Sequence, residues 1–358
     1  MSIGQVVDGS RLVVCVGGGG VGKTTLAAAL AVGAAARGRR AMVLTIDPAR
    51  ALGRALGLPR LGSEPERISG ADGFLHAAML DQKRSWDAFI ARHAPSPRVR
   101  DAIIDNPFYR ELSLRFSGAI EYVAIEELCR LSESGEYDVV VLDTPPAAHA
   151  LDFVRAPERI DRFLSPELSH WLTEAPRHAG RAVRFVVRSL ERATGRRTFS
   201  ELRSFFAAFD ELRSDVQRRA RTARSLLSAP GTAFLLVTTP TPQSLTESGA
   251  LRGALDELGI RLAGVIENRA HALPGSIEPG GAEARAESLL AELGESEASA
   301  WLRRAHADAL ARARDERALW QKLRNELPPG VEHATVAELS RDMCALADLR
   351  NVAERLWS

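Results

Sequence analysis

Apolar runs of strand length alternate along the chain with longer segments in which apolar residues recur at helical spacing. This alternation is typical of a parallel sheet covered by helices, because parallel strands need a crossover connection. We therefore predict an α/β fold. The predicted strands are Arg11–Gly17, Ala41–Asp47, Phe74–Leu80, Tyr137–Asp143, Ala233–Thr239 and Ile260–Asn268, with a weaker candidate at Glu332–Leu339.

Two long stretches interrupt this alternation. Residues from about 155 to 229 contain no strand-like run, and residues 281–326 are Ala-rich and densely charged, so both are predicted to be helical. Because the strands on either side of the first stretch look alike, we interpret it as an insertion in one α/β domain. The predicted organisation is a core in two parts, 1–154 and 230–358, with a helical insertion subdomain at 155–229.

Composition narrows the choice of protein class. The 358 residues are 45% hydrophobic and 26% charged with a formal net charge of +1, which gives no general attraction to nucleic acid. Cys15, Cys129 and Cys344 lie far apart, which argues against disulfides or a cysteine zinc site. The first 15 residues lack a signal-peptide pattern, and no apolar run approaches 18 residues. We expect a cytoplasmic protein.

The segment Gly17–Thr25 (GGGGVGKTT) matches the phosphate-binding pattern G-x-x-x-x-G-K-[ST] between a predicted strand and a predicted helix. In such a loop, backbone N–H groups and the positive end of the helix dipole face phosphate oxygens. Lys23 is expected to contact the β- and γ-phosphates, Thr24 to ligate Mg²⁺ and Thr25 to bind the α-phosphate. The predicted backbone contacts come from Gly18, Gly19, Gly20, Val21 and Gly22.

Two aspartates stand at the ends of predicted strands. Asp143 follows four apolar residues, where a magnesium-binding acid is expected. Asp47 begins the sequence Asp-Pro-Ala and could orient or deprotonate the attacking water. Thr24, Asp47 and Asp143 are therefore the candidates for holding Mg²⁺. Alternatively, Asp143 caps a helix and Asp47 is a turn residue before Pro48.

Three segments together resemble the arsenical pump-driving ATPase family, which includes the eukaryotic ATPase that targets tail-anchored membrane proteins. Gly17–Thr25 resembles the family's deviant phosphate loop GKGGVGKTT, LTIDPARALG (44–53) its first switch and DTPPAAH (Asp143–His149) its second. Segments 238–248 (TTPTPQSLTES) and Asp105–Tyr109 (DNPFY) add to the resemblance, the latter to a bacterial branch. The resemblance implies a mostly parallel seven- or eight-stranded sheet and an ATP-driven dimer.

The resemblance also implies roles for single residues. Asp47 matches the water-activating residue of the first switch, and Asp143 the second-switch acid near Mg²⁺. His149 matches a histidine that couples nucleotide state to the helical layer, unless it is an ordinary loop histidine. Asn268 matches the family's adenine-reading asparagine, whose amide can both donate and accept. The segment around Leu339–Ser340 would close over the adenine.

Two departures from the family pattern change what we expect of the hydrolysis rate and of arsenite or zinc binding. The family's signature lysine, which reaches across the dimer to the partner's phosphates, is replaced here by Gly18. A group of that kind contributes about 10³–10⁵ in rate, by analogy with arginine fingers. Three alternatives follow: hydrolysis is slow, another residue replaces the lysine, or the chain pairs with a homologous subunit that keeps the lysine. We favour the third, and a homodimer is the other arrangement considered. The dispersed cysteines make arsenite sensing and a zinc-clamped dimer unexpected.

Relatives that target tail-anchored proteins use the region matching 155–229 as a hydrophobic groove. Here Val183, Val187 and Leu190 share one helical face beside a stripe of arginines at positions 177, 181, 184, 188 and 192. A second apolar face consists of Phe205, Phe206, Phe209, Leu212 and Val216. These faces form a client groove or a surface for anionic lipid, or else they pack on the core while the arginines face water.

The leading functional hypothesis is a cytoplasmic Mg²⁺-dependent ATPase that cycles between ATP and ADP. Its dimer would open and close to handle hydrophobic or membrane-associated protein clients. Alternatives are the soluble subunit of an anion pump, a chromosome- or septum-positioning ATPase and a small-molecule kinase. The missing thiols count against the pump, the balanced charge against a nucleic-acid partner, and DTPPAAH fits a kinase poorly.

Overall fold

A single sheet of eight strands organises the part of the chain that the structure describes. The computed structural model covers residues 2–47, 51–115, 119–163, 195–271, 288, 291–292, 297–338 and 345–358. The strands are β1 Leu12–Gly17, β2 Ala41–Thr45, β3 Glu66–Arg67, β4 Leu75–Met79, β5 Val139–Asp143, β6 Thr232–Thr238, β7 Leu262–Ala270 and β8 Glu332–Ala337. Their spatial order is β3-β4-β2-β5-β1-β6-β7-β8. The β3–β4 pair is antiparallel and the other pairs are parallel.

The α/β class and the mostly parallel sheet predicted from the sequence are confirmed. Each of the seven predicted runs overlaps one strand. Every position of β1 and β5 is buried, which explains their unbroken apolar sequences, since helices cover both faces of such a sheet. Strand β3 was not predicted, because two exposed residues, Glu66 and Arg67, make no apolar run.

Thirteen helices surround the sheet within the described residues. They are α1 Ile3–Asp8, α2 Lys23–Ala36, α3 Ala51–Ala55, α4 Gln82–His93, α5 Pro97–Ile104, α6 Pro107–Arg115, α7 Ala119–Ser134, α8 Ala147–Phe163, α9 Arg196–Asp210, α10 Arg213–Leu227, α11 Pro242–Glu257, α12 Glu297–Asn325 and α13 Leu346–Trp357. Of the helices in these ranges, none is long and apolar enough to cross a bilayer.

The core divides into two clusters, one on each face of the sheet. Side chains of β1 alternate between them: Val13 and Cys15 join one cluster, while Val14 and Val16 join the other. Helices α1, α2, α3 and α13 pack on the first face. The helices from α4 to α11 and the end of α12 pack on the second. The sheet therefore lies between two helical layers.

The same division separates the two cysteines that the structure describes. Cys15 belongs to the cluster on one face and Cys129 to the cluster on the other. Burial raises the pKa of both thiols, that of Cys129 to about 12. These two residues therefore cannot share an arsenite or a zinc ion. Cys344 lies outside the described residues.

The elements that the structure describes within the predicted insertion are all helices. Helix α8 continues to Phe163, and α9 and α10 follow within residues 196–227. The division into a two-part core and an insertion subdomain remains a prediction. The face containing Val187 and the arginine stripe lie outside the described residues. So do residues 281–287, 289–290 and 293–296 of the helical stretch 281–326, of which α12 covers 297–325.

The second apolar face of this region is buried in the core. Its five side chains are at most 4% exposed: Phe205, Phe206, Phe209, Leu212 and Val216. The ring of Phe205 lies 5.3 Å from that of Phe108 and 6.3 Å from that of Tyr109, centroid to centroid. Helix α9 thus packs against α6, and for this face the packing interpretation applies rather than the groove.

Phe205→Ala should lower the free energy of unfolding by about 3–5 kcal/mol, the usual cost of deleting a buried Phe side chain. Chemical denaturation followed by circular dichroism measures this loss. Trp301→Ala is the control, because Trp301 is 64% exposed on α12 and its loss should cost about 0.5 kcal/mol or less. Equal, small losses in both variants would show that Phe205 is not a core residue.

Candidate functional site

Three parallel strands bring the predicted phosphate loop and both predicted acids to one edge of the sheet. In the register, Asp143 at the end of β5 stands beside Cys15 of β1 on one side and Thr45 of β2 on the other. Because the strands are parallel, their carboxyl ends meet at the same edge. The loop after β1 and Asp47 after β2 therefore converge on Asp143.

The phosphate loop joins β1 to α2 through backbone shapes that favour glycine. Gly17 has φ +154° and Gly22 has φ +92°, values that L side chains rarely adopt. A Cβ on Gly17 would also overlap the carbonyl of Val237 on the adjacent strand β6. Helix α2 begins directly after Gly22, at Lys23, so its first backbone N–H groups face the loop and suit an anion.

Lys23 is buried and is held by its own loop. Its Nζ donates to the carbonyl oxygen of Gly18 at 2.6 Å and to that of Gly17 at 3.1 Å. Burial lowers the pKa of this ammonium, while Asp143, Cys15, Asp47 and Glu247 oppose that change. An incoming phosphate would compete with the two carbonyl oxygens for the ammonium.

Asp143 is fully buried between two hydroxyl groups. Its Oδ2 accepts a hydrogen bond from Thr45 Oγ1 at 2.8 Å, and Thr24 is a second donor. Burial raises the pKa of Asp143 to about 6, although the two threonines and Lys23 favour the carboxylate. Its Oδ1 is buried without a hydrogen-bond partner among the described residues, which is costly unless a ligand satisfies it.

The arrangement around Asp143 fits a magnesium ion bound with a nucleotide. Mg²⁺ is commonly held by one or two carboxylates, with water and phosphate oxygens completing its shell. Asp143 Oδ1 and the Thr24 hydroxyl supply such oxygens. No group of three or more His, Cys, Asp or Glu residues suited to a metal occurs in the described ranges, so a site made by protein alone is not seen there.

Asp47 lies beside the same cluster. Its backbone N–H donates to Thr45 Oγ1 at 3.1 Å, and its charge acts on both Lys23 and Asp143. The structure thus brings Lys23, Thr24, Asp47 and Asp143 together. Pro48, which follows Asp47, lies outside the described residues.

Two threonines in this cluster were missed by the sequence analysis. Thr45 Oγ1 connects the Asp143 carboxylate to the Asp47 backbone. Thr144 Oγ1 donates to the carbonyl oxygen of Cys15 at 2.7 Å and so ties the end of β5 to β1. The signal available in the sequence was a hydroxyl residue at the end of each apolar run, but only the register shows what each contacts.

Glu247 was also missed, and it faces Gly18 of the phosphate loop. A Cβ on Gly18 would lie 2.5 Å from Glu247 Oε2. Glu247 is half-buried on α11, and its Oε1 accepts a hydrogen bond from Gln243 at 3.0 Å. A longer side chain at position 18 would therefore meet this carboxylate.

The structure describes two of the remaining predicted residues, Asn268 and His149. Asn268 is buried near the end of β7, and its Nδ2 donates to the Val21 carbonyl oxygen at 2.8 Å. His149 belongs to the first turn of α8 rather than to a loop. Residues Leu339–Ser340 are not among those described. The adenine-reading role of Asn268 and the switch role of His149 remain predictions.

Comparison with known proteins points to the same part of the chain. Residues 10–287 match the model of the anion-transporting ATPase family. The chain is 32% identical over 155 residues to ATPase GET3 of Malassezia globosa, covering 43% of this chain and 45% of that protein. It is 29% identical over 149 residues to ATPase GET3 of Mycosarcoma maydis, covering 42% and 43%.

A longer alignment reaches a further relative. The chain is 26% identical over 288 residues to ATPase ARSA1 of Chlamydomonas reinhardtii, covering 71% of this chain and 34% of that protein. These alignments span between about a third and a half of each relative's length. The family match includes the phosphate loop, both aspartates and Asn268. With this match over well more than half of its length, the chain belongs to the anion-transporting ATPase family.

Proposed function

We propose that this chain is a Mg²⁺-dependent ATPase. The observation that carries the proposal is the convergence of Lys23, Thr24 and Asp47 on the buried Asp143 at the carboxyl edge of the sheet. Phosphoryl transfer requires positioning and charge stabilisation rather than covalent chemistry by the protein. A cation, a hydroxyl group and two carboxylates beside a helix N-terminus supply both.

Each residue has a defined part in this proposal. Lys23 and the N-terminus of α2 bind the phosphates of ATP. Thr24 and Asp143 hold Mg²⁺, which neutralises charge on the phosphate oxygens when bound. Thr45 fixes Asp143 and the Asp47 backbone relative to each other. Asp47 orients the attacking water and accepts its proton.

Lys23→Ala should reduce ATP hydrolysis by at least about a hundredfold, because it removes the cation that contacts the phosphates. Asp47→Asn should lose hydrolysis to a similar extent while ATP still binds. Hydrolysis by both variants is measured as phosphate release with Mg²⁺ and again with EDTA in place of Mg²⁺. ATP binding by Asp47→Asn is measured by calorimetry.

Matched controls come from exposed positions. Lys322 on α12 and Asp256 on α11 are exposed, so Lys322→Ala and Asp256→Asn should hydrolyse ATP like the unmodified protein. Hydrolysis in Lys23→Ala at the control rate, or full activity in EDTA, would contradict the proposed ATPase.

We further propose that the active form is a dimer whose second subunit supplies the cation that Gly18 lacks. The support is the resemblance to a family with a lysine in this position, together with the carboxylate of Glu247 beside Gly18. A homologous subunit with an intact lysine is the favoured partner over a second copy of this chain. On its own, the chain would then hydrolyse ATP slowly.

Gly18→Lys should raise the turnover of a homodimer of this chain by more than about tenfold, towards the 10³–10⁵ that a trans-acting cation contributes, because each copy would then supply the cation to its partner. Combining it with Glu247→Gln should increase the gain, because the new ammonium would no longer pair with its own carboxylate. Gly18→Met is the control, since it adds similar length without charge. An equal gain in Gly18→Met, or ordinary turnover before any change, would contradict the missing-cation proposal.

For the physiological role, we propose nucleotide-driven handling of hydrophobic or membrane-associated protein clients in the cytoplasm. The support is the resemblance to the tail-anchored targeting branch and the matches to ATPase GET3 proteins. The description of the matched family as anion-transporting favours the soluble subunit of an anion pump as the second candidate. Cys15 and Cys129 offer no arsenite site to such a pump.

A fluorescent 20-residue Leu/Ala peptide separates these two roles. A client-handling ATPase should bind it more tightly with ATP than with ADP, as measured by fluorescence anisotropy. Lys23→Ala should abolish that difference, because it cannot hold the nucleotide. Equal peptide affinity with ATP and with ADP, or no peptide binding at all, would contradict client handling and favour the pump subunit.

A further inference from the structure

The side chain of Asn268 makes a contact that base recognition does not require. Asn268 is 5% exposed, and its Nδ2 donates to the backbone carbonyl oxygen of Val21 at 2.8 Å. Val21 belongs to the phosphate loop, 247 residues earlier in the chain. One of the two N–H groups of the amide is therefore directed at the loop itself.

The next residue of the loop, Gly22, lies so close to the same amide that it has no room for a side chain. A Cβ on Gly22 would overlap Asn268 Nδ2, and Gly22 has φ +92°. The loop backbone thus passes directly against the carboxamide at Val21 and Gly22. Gly22 is also the residue that precedes the first turn of α2. Asn268 therefore contacts the loop at the point where the loop backbone enters the helix.

The end of β7 holds Asn268 in a fixed position. On one side of it, Glu267 is 3% exposed and accepts a hydrogen bond from Thr335 of β8 at 3.0 Å. On the other side, Arg269 has φ +58°, and the pairing with β8 shifts register between Glu267 and Ala270. A non-glycine residue at positive φ is uncommon and persists where its surroundings determine it.

We propose that Asn268 is a positioning residue for the phosphate loop. Its amide fastens the loop at Val21 and thereby orients the backbone N–H groups that bind the triphosphate, whichever base the nucleotide carries. This inference rests on the proposed ATPase function. This role differs from adenine recognition, because a side chain that recognises adenine affects the binding only of ligands that contain adenine.

A base-free ligand distinguishes the two roles. Inorganic tripolyphosphate with Mg²⁺ can occupy the phosphate loop but offers nothing to an adenine-reading residue. If Asn268 orients the loop, its loss weakens tripolyphosphate and ATP together and leaves the ratio of ATP to GTP affinity unchanged. If Asn268 only reads the base, tripolyphosphate binding does not change.

The experiment is calorimetric titration of the full chain with Mg²⁺ and each of tripolyphosphate, ATP and GTP. Asn268→Leu removes the donor at similar volume, and Asn268→Asp keeps the shape but presents oxygen to the Val21 carbonyl. Both should weaken tripolyphosphate about tenfold, which corresponds to about 1.4 kcal/mol. Asn351→Leu, at an exposed position of α13, is the control and should bind all three like the unmodified chain.

Unchanged tripolyphosphate affinity in the two Asn268 variants would overturn the inference and leave the ATPase proposal intact. Binding of ATP but not of tripolyphosphate by the unmodified chain would also overturn it, because affinity would then come from the base. Thermal unfolding without ligand shows whether the variants fold, and failure of both to fold would make Asn268 a general structural residue instead. Failure of the unmodified chain to bind any of the three ligands would overturn the ATPase proposal itself.

Discussion

The parallel pairing of β5 with β1 and β2 is the constraint on which the rest of the site depends. It fixes Asp143 between Cys15 and Thr45, and the loop after β1 and Asp47 after β2 follow from that register. A shift of one residue would move the Asp143 side chain to the opposite face of the sheet. The helical layers on both faces exclude water from these strands, so the register is strongly specified.

Exclusion of water also gives the site its electrostatic character. A buried carboxylate and a buried ammonium each lose solvation, which raises the pKa of Asp143 and lowers that of Lys23. The hydroxyl groups of Thr24 and Thr45 and the carbonyl oxygens of the loop offset part of this cost. The proposed ligand, a triphosphate with its cation, would satisfy both charges at once.

Features that repeat locally could be predicted from the sequence, and features made by distant contacts could not. The strands and the loop Gly17–Thr25 are local patterns, and Asp143 was found because it ends an apolar run. The bond from Thr45 to Asp143 spans 98 residues and that from Asn268 to Val21 spans 247. No spacing rule links residues so far apart. The carboxylate of Glu247 beside Gly18 was missed for the same reason, since α11 approaches the loop only in the folded sheet.

The close packing of α2 has a consequence for the order in which the molecule is completed. Gly33 of α2 contacts the ring of Trp357 so tightly that a Cβ has no room, and Leu349, Val352 and Leu356 of α13 complete the cluster around this helix. The phosphate loop thus precedes in sequence most of what supports it: β5, β6 and Asn268 directly, and α13 through its packing on α2. Its supporting helix α2 acquires its full set of neighbours only after residues 346–357 have been synthesised, so the loop is made long before the elements that hold it in place.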